Sequence, residues 1–373
     1  MTDKLPRALL AWILAFSFHT LAVAQVSTNQ IDAIFASLKS TDSPGAAVLV
    51  VRNGKPVFRR GYGVTDLRAH HPIDSQTNFR IASFTKQFTA MCIMLLVHDG
   101  MLHYDDHLTD FFPEFPAYGK PITVRNLLNH TSGLPDYEDI LSRQYPNTAD
   151  DQIPQIHNAG VLKLLEQQTA AKFPAGSKWD YSNSGYVVLA QIVEKVSGRS
   201  FGEFLRQRIF VPLNMTHTLA YEKGKNEVPH RAYGHTKEKD GWRETDQSST
   251  SATLGDGGIY TSIDDLAQWD RALRDHTLLS DAEMQPALTP VVPTGGPATS
   301  PEGPASYGFG WHLEPYRGHK RMWHDGETAG FRTTIQRFPN DDLTVIILAN
   351  RTDLNPQELA LKVADLYLAT ARP

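Results

Sequence analysis

Apolar positions recur with two different periods along this chain, and the change of period divides it. Ile31, Ile34, Phe35 and Leu38 fall three to four residues apart, the spacing of one helix face, and predict a helix over 31–38. Ala46 to Val51 is a short β-branched run, and Pro56 to Tyr62 alternates roughly. Asn53-Gly54 lies between them, a pair suited to the positive φ angles of a type I′ turn, so the two runs predict an antiparallel hairpin. From about Phe79 helical patterns take over. An apolar run from Ala90 to Val97 stops at Gly100. Val124–His130, Val161–Gln168 and Tyr186–Val196 follow, the last closed by Ser197-Gly198. Ser200 with Glu203, Ser262 with Asp265 and Ser280 with Glu283 each place a capping hydroxyl three residues before an acid, at the start of an apolar segment.

The stretch 289–306 carries Pro290, Pro293, Pro297, Pro301 and Pro304 and predicts a loop. Strand patterns then return at Tyr307–Leu313, Met322–His324, Phe331–Phe338 and Leu343–Ala349, with a turn at Asn340-Asp341-Asp342. Gln357–Leu368 predicts a closing amphipathic helix. Both ends thus combine antiparallel strands with a helix. The predicted fold is α+β: residues 25–78 plus 300–373 share one sheet, and 79–299 form an inserted, mainly helical part. A cleft between the two parts is the expected ligand site. No internal repeat is present.

Composition narrows the class. Of 373 residues 41% are hydrophobic and 21% charged, which is the balance of a folded globular chain. The net charge of −5 and the lack of a basic cluster argue against a nucleic-acid partner. The single cysteine, Cys92, excludes an internal disulfide and a cysteine metal cluster, and its apolar neighbours predict an inert buried thiol. At the N-terminus Lys4 and Arg7 precede an apolar run from Ala8 to Ala24 that closes on Ala22-Val23-Ala24. This predicts a signal peptide over 1–24, cut before Gln25, and an exported protein, periplasmic or secreted. No later apolar run reaches membrane-spanning length, so no stable membrane insertion is expected after cleavage.

Three short patterns carry candidate chemistry. Ser83 and Lys86 are three residues apart at the start of the longest apolar run. On a helix such residues share a face, about 5–6 Å apart at Cβ. Burial disfavours a charged lysine, and a neutral amine there can take the proton of Ser83 and make it a nucleophile. A capping serine followed by a surface lysine has the same spacing. Tyr181 and Asn183 lie two apart just before an apolar helix, where an extended loop would project both to one side. His324 and Gly326 lie on a predicted strand, and the glycine would let a substrate lie close.

Ser83-x-x-Lys86, Tyr181-x-Asn183 and His324-x-Gly326, in that order, resemble the serine β-lactamase and penicillin-binding-protein superfamily. The similarity is greatest to the branch holding class C β-lactamases, DD-carboxypeptidases, D-aminopeptidases and related esterases. It extends over roughly Ile31 to Leu368 and includes Leu127–Leu134 and Gly255–Ser262. The resemblance implies a β-lactamase/DD-peptidase-like fold and an acyl-enzyme on Ser83, with no metal or cofactor. It implies that Lys86 and Tyr181 share the proton transfers, with the base left open between them. Asn183 would hold the substrate's amide side. His324, where a lysine is common, would tune Tyr181 with a pH dependence near neutrality. The backbone N–H groups of Ser83 and Glu327 would form the oxyanion hole. Asp325 stands where a hydroxyl is usual. Facing the cleft it would repel a substrate carboxylate; facing away it would pair elsewhere.

Three functions follow from the resemblance: an esterase or amidase acting on small esters or D-amino-acid peptides, a true β-lactamase or DD-carboxypeptidase, or a non-catalytic binding protein on the same fold. Other patterns point to structure. His98, His103 and His107 straddle a helix end without a tight ligand spacing, and His130 precedes a tight turn. Gly255-Asp256-Gly257-Gly258 lacks the Lys-Ser/Thr of a phosphate loop. No G-x-S-x-G elbow occurs.

Overall fold

Strands from both ends of the chain meet in one five-stranded antiparallel sheet in a computed structural model that describes residues 26–300 and 303–368. The predicted signal peptide lies outside the described residues. Strands β1 (Ala46–Arg52) and β2 (Lys55–Tyr62) come from the N-terminal side. Strands β3 (Met322–Thr328), β4 (Phe331–Phe338) and β5 (Leu343–Ala349) come from the C-terminal side. Their order is β3-β4-β5-β1-β2, with Ala46 opposite Ala349 where the two ends join. Asn53 and Gly54 both have positive φ, +50° and +69°, as the hairpin turn requires.

The central strands read as unbroken apolar runs because both faces of the sheet are covered. On one face Val48, Val50, Val345 and Ile347 pack with Ile31 and Phe35 and with Val363. Those residues belong to α1 (Thr28–Ile34) with its following turn and to α5 (Pro356–Asp365). On the other face Leu49, Ile346 and Leu348 join a larger core with Phe84, Phe88 and Trp269. That core includes the buried helices α2 (Lys86–His98) and α3 (Asn183–Ser197), and α4 (Ile263–Asp275).

Two local differences bear on the site. The expected strand over 307–313 is a loop held by single bridges, Tyr307 to His312 and His312 to Trp323. Gly310 turns it with φ +75°, and a Cβ there would meet the Lys86 carbonyl oxygen at 2.8 Å. The chain thus folds over the start of α2 where a strand would continue straight. The expected extended loop through Tyr181 and Asn183 ends sooner than the spacing suggested. Ser182 caps α3 by accepting from the Gly185 N–H, and Asn183 is its first residue.

Candidate active site

Ser83 stands on a 3₁₀ turn, Ala82–Thr85, that leads directly into α2. Ala82 has φ +47°, a left-handed backbone at a non-glycine residue. Lys86 is fully buried. Its Nζ donates to Ser83 Oγ at 3.0 Å, to Asn183 Oδ1 at 2.8 Å and to the Asp256 carbonyl at 3.0 Å. Three acceptors match the three N–H donors of an ammonium. The Nζ also lies over the Tyr181 ring, 4.8 Å from its centroid, and 5.5 Å from that of Tyr186.

The Tyr181 hydroxyl makes no hydrogen bond to Ser83 or Lys86 among the described residues. Asn183 is pinned at both ends of its peptide: its N–H donates to Asp136 Oδ2 at 2.8 Å, and its side-chain oxygen faces Lys86. The Gly255–Gly258 stretch wraps the start of α2. Gly255 O accepts from Thr89 Oγ1, Asp256 O from Lys86 and Gly257 O from Arg80.

Strand β3 forms the opposite wall. His324 is buried, with Nδ1 at 2.7 Å from the Asp325 carbonyl and Nε2 at 3.0 Å from the Tyr307 hydroxyl. Burial first, then His312 and Lys86, hold its pKa well below the ordinary histidine value. The expected titration near neutrality is therefore corrected: this imidazole stays neutral there. Gly326 also serves a different neighbour from the one expected. A Cβ on it would lie 2.0 Å from the Ile81 carbonyl oxygen and 2.3 Å from Thr333 Oγ1. The space it frees is filled by the backbone entering the Ser83 turn, which Thr333 Oγ1 also holds through Ile81 O at 2.9 Å.

Alternation along β3 places Asp325 on the face opposite His324 and Gly326. Its Oδ1 accepts from Thr334, its partner across the strand pair. Burial raises its pKa to about 7, with Thr334 and Arg321 acting the other way. The carboxylate is thus paired across the strands, while Asp325 also lines the cleft that holds Ser83 and Trp323, so neither orientation drawn from the sequence describes it alone. Glu327 extends into solvent and pairs with Arg332 at 2.6 Å. Its backbone is better placed than its side chain. Trp323 and His312 exchange N–H···O bonds of 2.9 Å across the outer edge of β3. Backbone groups alternate along a strand, so the N–H of Asp325 and Glu327 point to that same open edge.

The resulting cleft has a volume of about 760 Å³ and is lined by Ser83, Trp179, Tyr181, His312, Trp323 and His324, among others. Trp179 and His312 were not singled out in the sequence, and neither was Tyr307. They sit in irregular segments, where no period marks a side chain as inward. His312 stacks on Trp323 at 4.3 Å, with Nδ1 at 3.7 Å from Glu314. His130 is structural, as expected: its Nδ1 accepts from the Ser182 N–H at 3.1 Å, and burial lowers its pKa. Cys92 is buried and its thiol pKa is raised by burial. His98 and His103 face Glu283 and Asp106 singly.

A serine, a buried lysine and a tyrosine on one wall, with an open strand edge on the other, make up the candidate site. The chain belongs to the Beta-lactamase family, whose model matches residues 31–370, and it is a serine hydrolase of that family. It is 30% identical over 362 residues to a penicillin-binding protein of Bacillus subtilis, covering 94% of this chain and 77% of that one. It is also 30% identical to a D-aminopeptidase of Brucella canis, over 88% of this chain and 61% of the relative's length. Among solved structures, an octameric penicillin-binding protein homologue from Pyrococcus abyssi superposes with a TM-score of 0.78. The match has 26% identity and covers 91% of this chain and 77% of that one. Among the described residues no helix is long and apolar enough to cross a membrane.

Proposed function

We propose that this hydrolase cleaves a small ester or amide through an acyl-enzyme on Ser83. The observation that carries this is the 3.0 Å contact of Lys86 Nζ with Ser83 Oγ inside a three-acceptor cage. In the reaction Ser83 Oγ attacks the carbonyl carbon and gives up its proton. The tetrahedral oxyanion is met by the N–H groups of Ser83 and Glu327, and the leaving group departs with a proton. Water then attacks the acyl-serine by the reverse path. Two proton routes belong to the proposal, and the 3.0 Å contact supports the one through Lys86 directly. Tyr181, having first lost its own proton to solvent, takes the Ser83 proton as a phenolate while Lys86 stays an ammonium, or Lys86 first loses a proton and then takes it. Asn183, held against Lys86, is the proposed orienter of the substrate amide.

The D-aminopeptidase relative supports an amide of a D-amino acid as one substrate class. The pairing of Asp325 with Thr334 supports a second reading, a class C-like β-lactamase or DD-carboxypeptidase, since that carboxylate is already committed to a neighbour. Export also belongs to the proposal. It rests on the 1–24 pattern, and a mature N-terminus at Gln25 is its check.

One panel on purified protein separates these: a short-chain aryl ester, a D-amino-acid anilide, a chromogenic cephalosporin and a D-Ala-D-Ala peptide. The ester and the anilide are expected to turn over fastest, and Ser83→Ala is expected to abolish turnover of both. Faster cephalosporin hydrolysis would install the second reading. No turnover of any member would leave a binding protein.

A further inference from the structure

Tyr307 is fully buried and belongs to the loop that folds over α2. Its hydroxyl is the one protein partner of His324 Nε2 among the described residues. The other ring nitrogen, Nδ1, faces the Asp325 carbonyl, which can only accept, so Nδ1 carries the proton. A neutral ring then has a bare Nε2, and the Tyr307 O–H, 3.0 Å away, donates to it. The charged and titratable neighbours bear on this assignment. Lys86 of α2 disfavours a second cation, as does His312, whose ring is 5.2 Å from that of His324. Tyr181 lies 6.3 Å away, and His130, itself held neutral by burial, packs 4.6 Å from the Tyr307 ring. The Tyr186 hydroxyl donates to the Leu128 carbonyl at 2.7 Å and is the second acceptor beside the Tyr307 hydroxyl, in competition with His324 Nε2. Burial pushes the Tyr307 phenol well above its ordinary value, so the donor keeps its proton.

We propose that Tyr307 is a positioning residue that locks His324 as the neutral Nδ1–H tautomer, with both ring nitrogens occupied, so that His324 shapes the cleft without carrying a proton. Proton transfer then falls to Lys86 and Tyr181 alone. The consequence for catalysis rests on the proposed role of Ser83, but the lock itself is measurable without turnover.

The test is nitrogen-15 NMR of the full chain with labelled histidine, the His324 signals assigned by their loss in His324→Gln. The wild type is expected to show the Nδ1–H pattern with no titration across about pH 5.5–8. Tyr307→Phe removes a hydrogen bond that favours the neutral ring. The His324 midpoint is expected to rise by about one pH unit. A wild-type Nε2–H tautomer, a wild-type midpoint near about 6.5, or a ring unchanged in Tyr307→Phe would overturn the lock. If Tyr307→Phe does not fold, the wild-type spectrum decides. A locked ring in a protein that hydrolyses nothing would sink the Ser83 reading and leave this one standing.

Discussion

Lys86 has no contact with solvent, yet three oxygens surround its Nζ as water would. This is why a lysine can sit in an apolar helix, and it ties the nucleophile to the segments bearing Asn183 and Asp256. The spacing of Ser83 and Lys86 was legible because i and i+3 share a helix face whatever the fold. The Asp256 contact was not, since it uses a backbone carbonyl and every residue has one. Asp325 shows the same limit on a strand: alternation left its surroundings open, and the pairing with Thr334 across the strands was not legible. Its carboxyl has a folded pKa of about 7, against an unfolded value of about 3.9. Between these values the folded state holds a proton that the unfolded state has lost. The associated stability is full below the lower value and is lost as pH rises through the upper one. Asp325→Asn removes the ionisation while keeping an acceptor for Thr334. Thermal melts are expected to show a midpoint raised by a few degrees at about pH 8.5 and little change at about pH 4.5. Equal shifts at both would show that the carboxyl titrates normally in the folded protein.

The element that sets the geometry of Ser83, the proposed nucleophile, is the 82–85 turn, and it is clamped from β3. Gly326 gives it room, and Thr333 holds the Ile81 carbonyl beneath it. Gly326→Ala would drive a methyl into that carbonyl and shift the turn. A displacement near 1 Å at a reacting group costs roughly 10²-fold. The expected result is a loss of that order in kcat/KM for the best ester substrate, with the far-ultraviolet dichroism of the folded chain retained. Activity within about twofold of wild type would show that the turn tolerates the shift. Most elements were readable at this scale. The hairpin at Asn53-Gly54, the apolar helices and the last two strands follow directly from period and capping residues. The 307–313 segment was not. Its Tyr307, Phe309 and Trp311 alternate as in a strand, but Gly308 and Gly310 let it fold onto α2, and the packing there fixed its path.

Across the whole molecule the cleft exists because one sheet is closed from both chain ends while the helical segment between them carries the nucleophile. The buried pair of Arg337 on β4 and Asp270 on α4 ties these parts together at 2.8 Å, with side chains 9% and 4% exposed and Thr344 also donating to Asp270. Breaking a buried pair by removing one partner costs about 3–5 kcal/mol. Arg337→Met is therefore expected to lower the denaturant midpoint clearly while leaving kcat of the folded fraction unchanged. An unaltered midpoint would mean that the pair contributes no net stability. The sequence order of Ser83, Tyr181 and His324 foretold a shared cleft, and the two-ended sheet explains how residues so far apart reach it. The most direct test of the account is peptide-resolved mass spectrometry after treatment with a serine-reactive fluorophosphonate. The account predicts one adduct, on Ser83, absent from Ser83→Ala and strongly reduced in Lys86→Ala. An adduct that persists in Ser83→Ala, or that maps to another serine in the wild type, would contradict it.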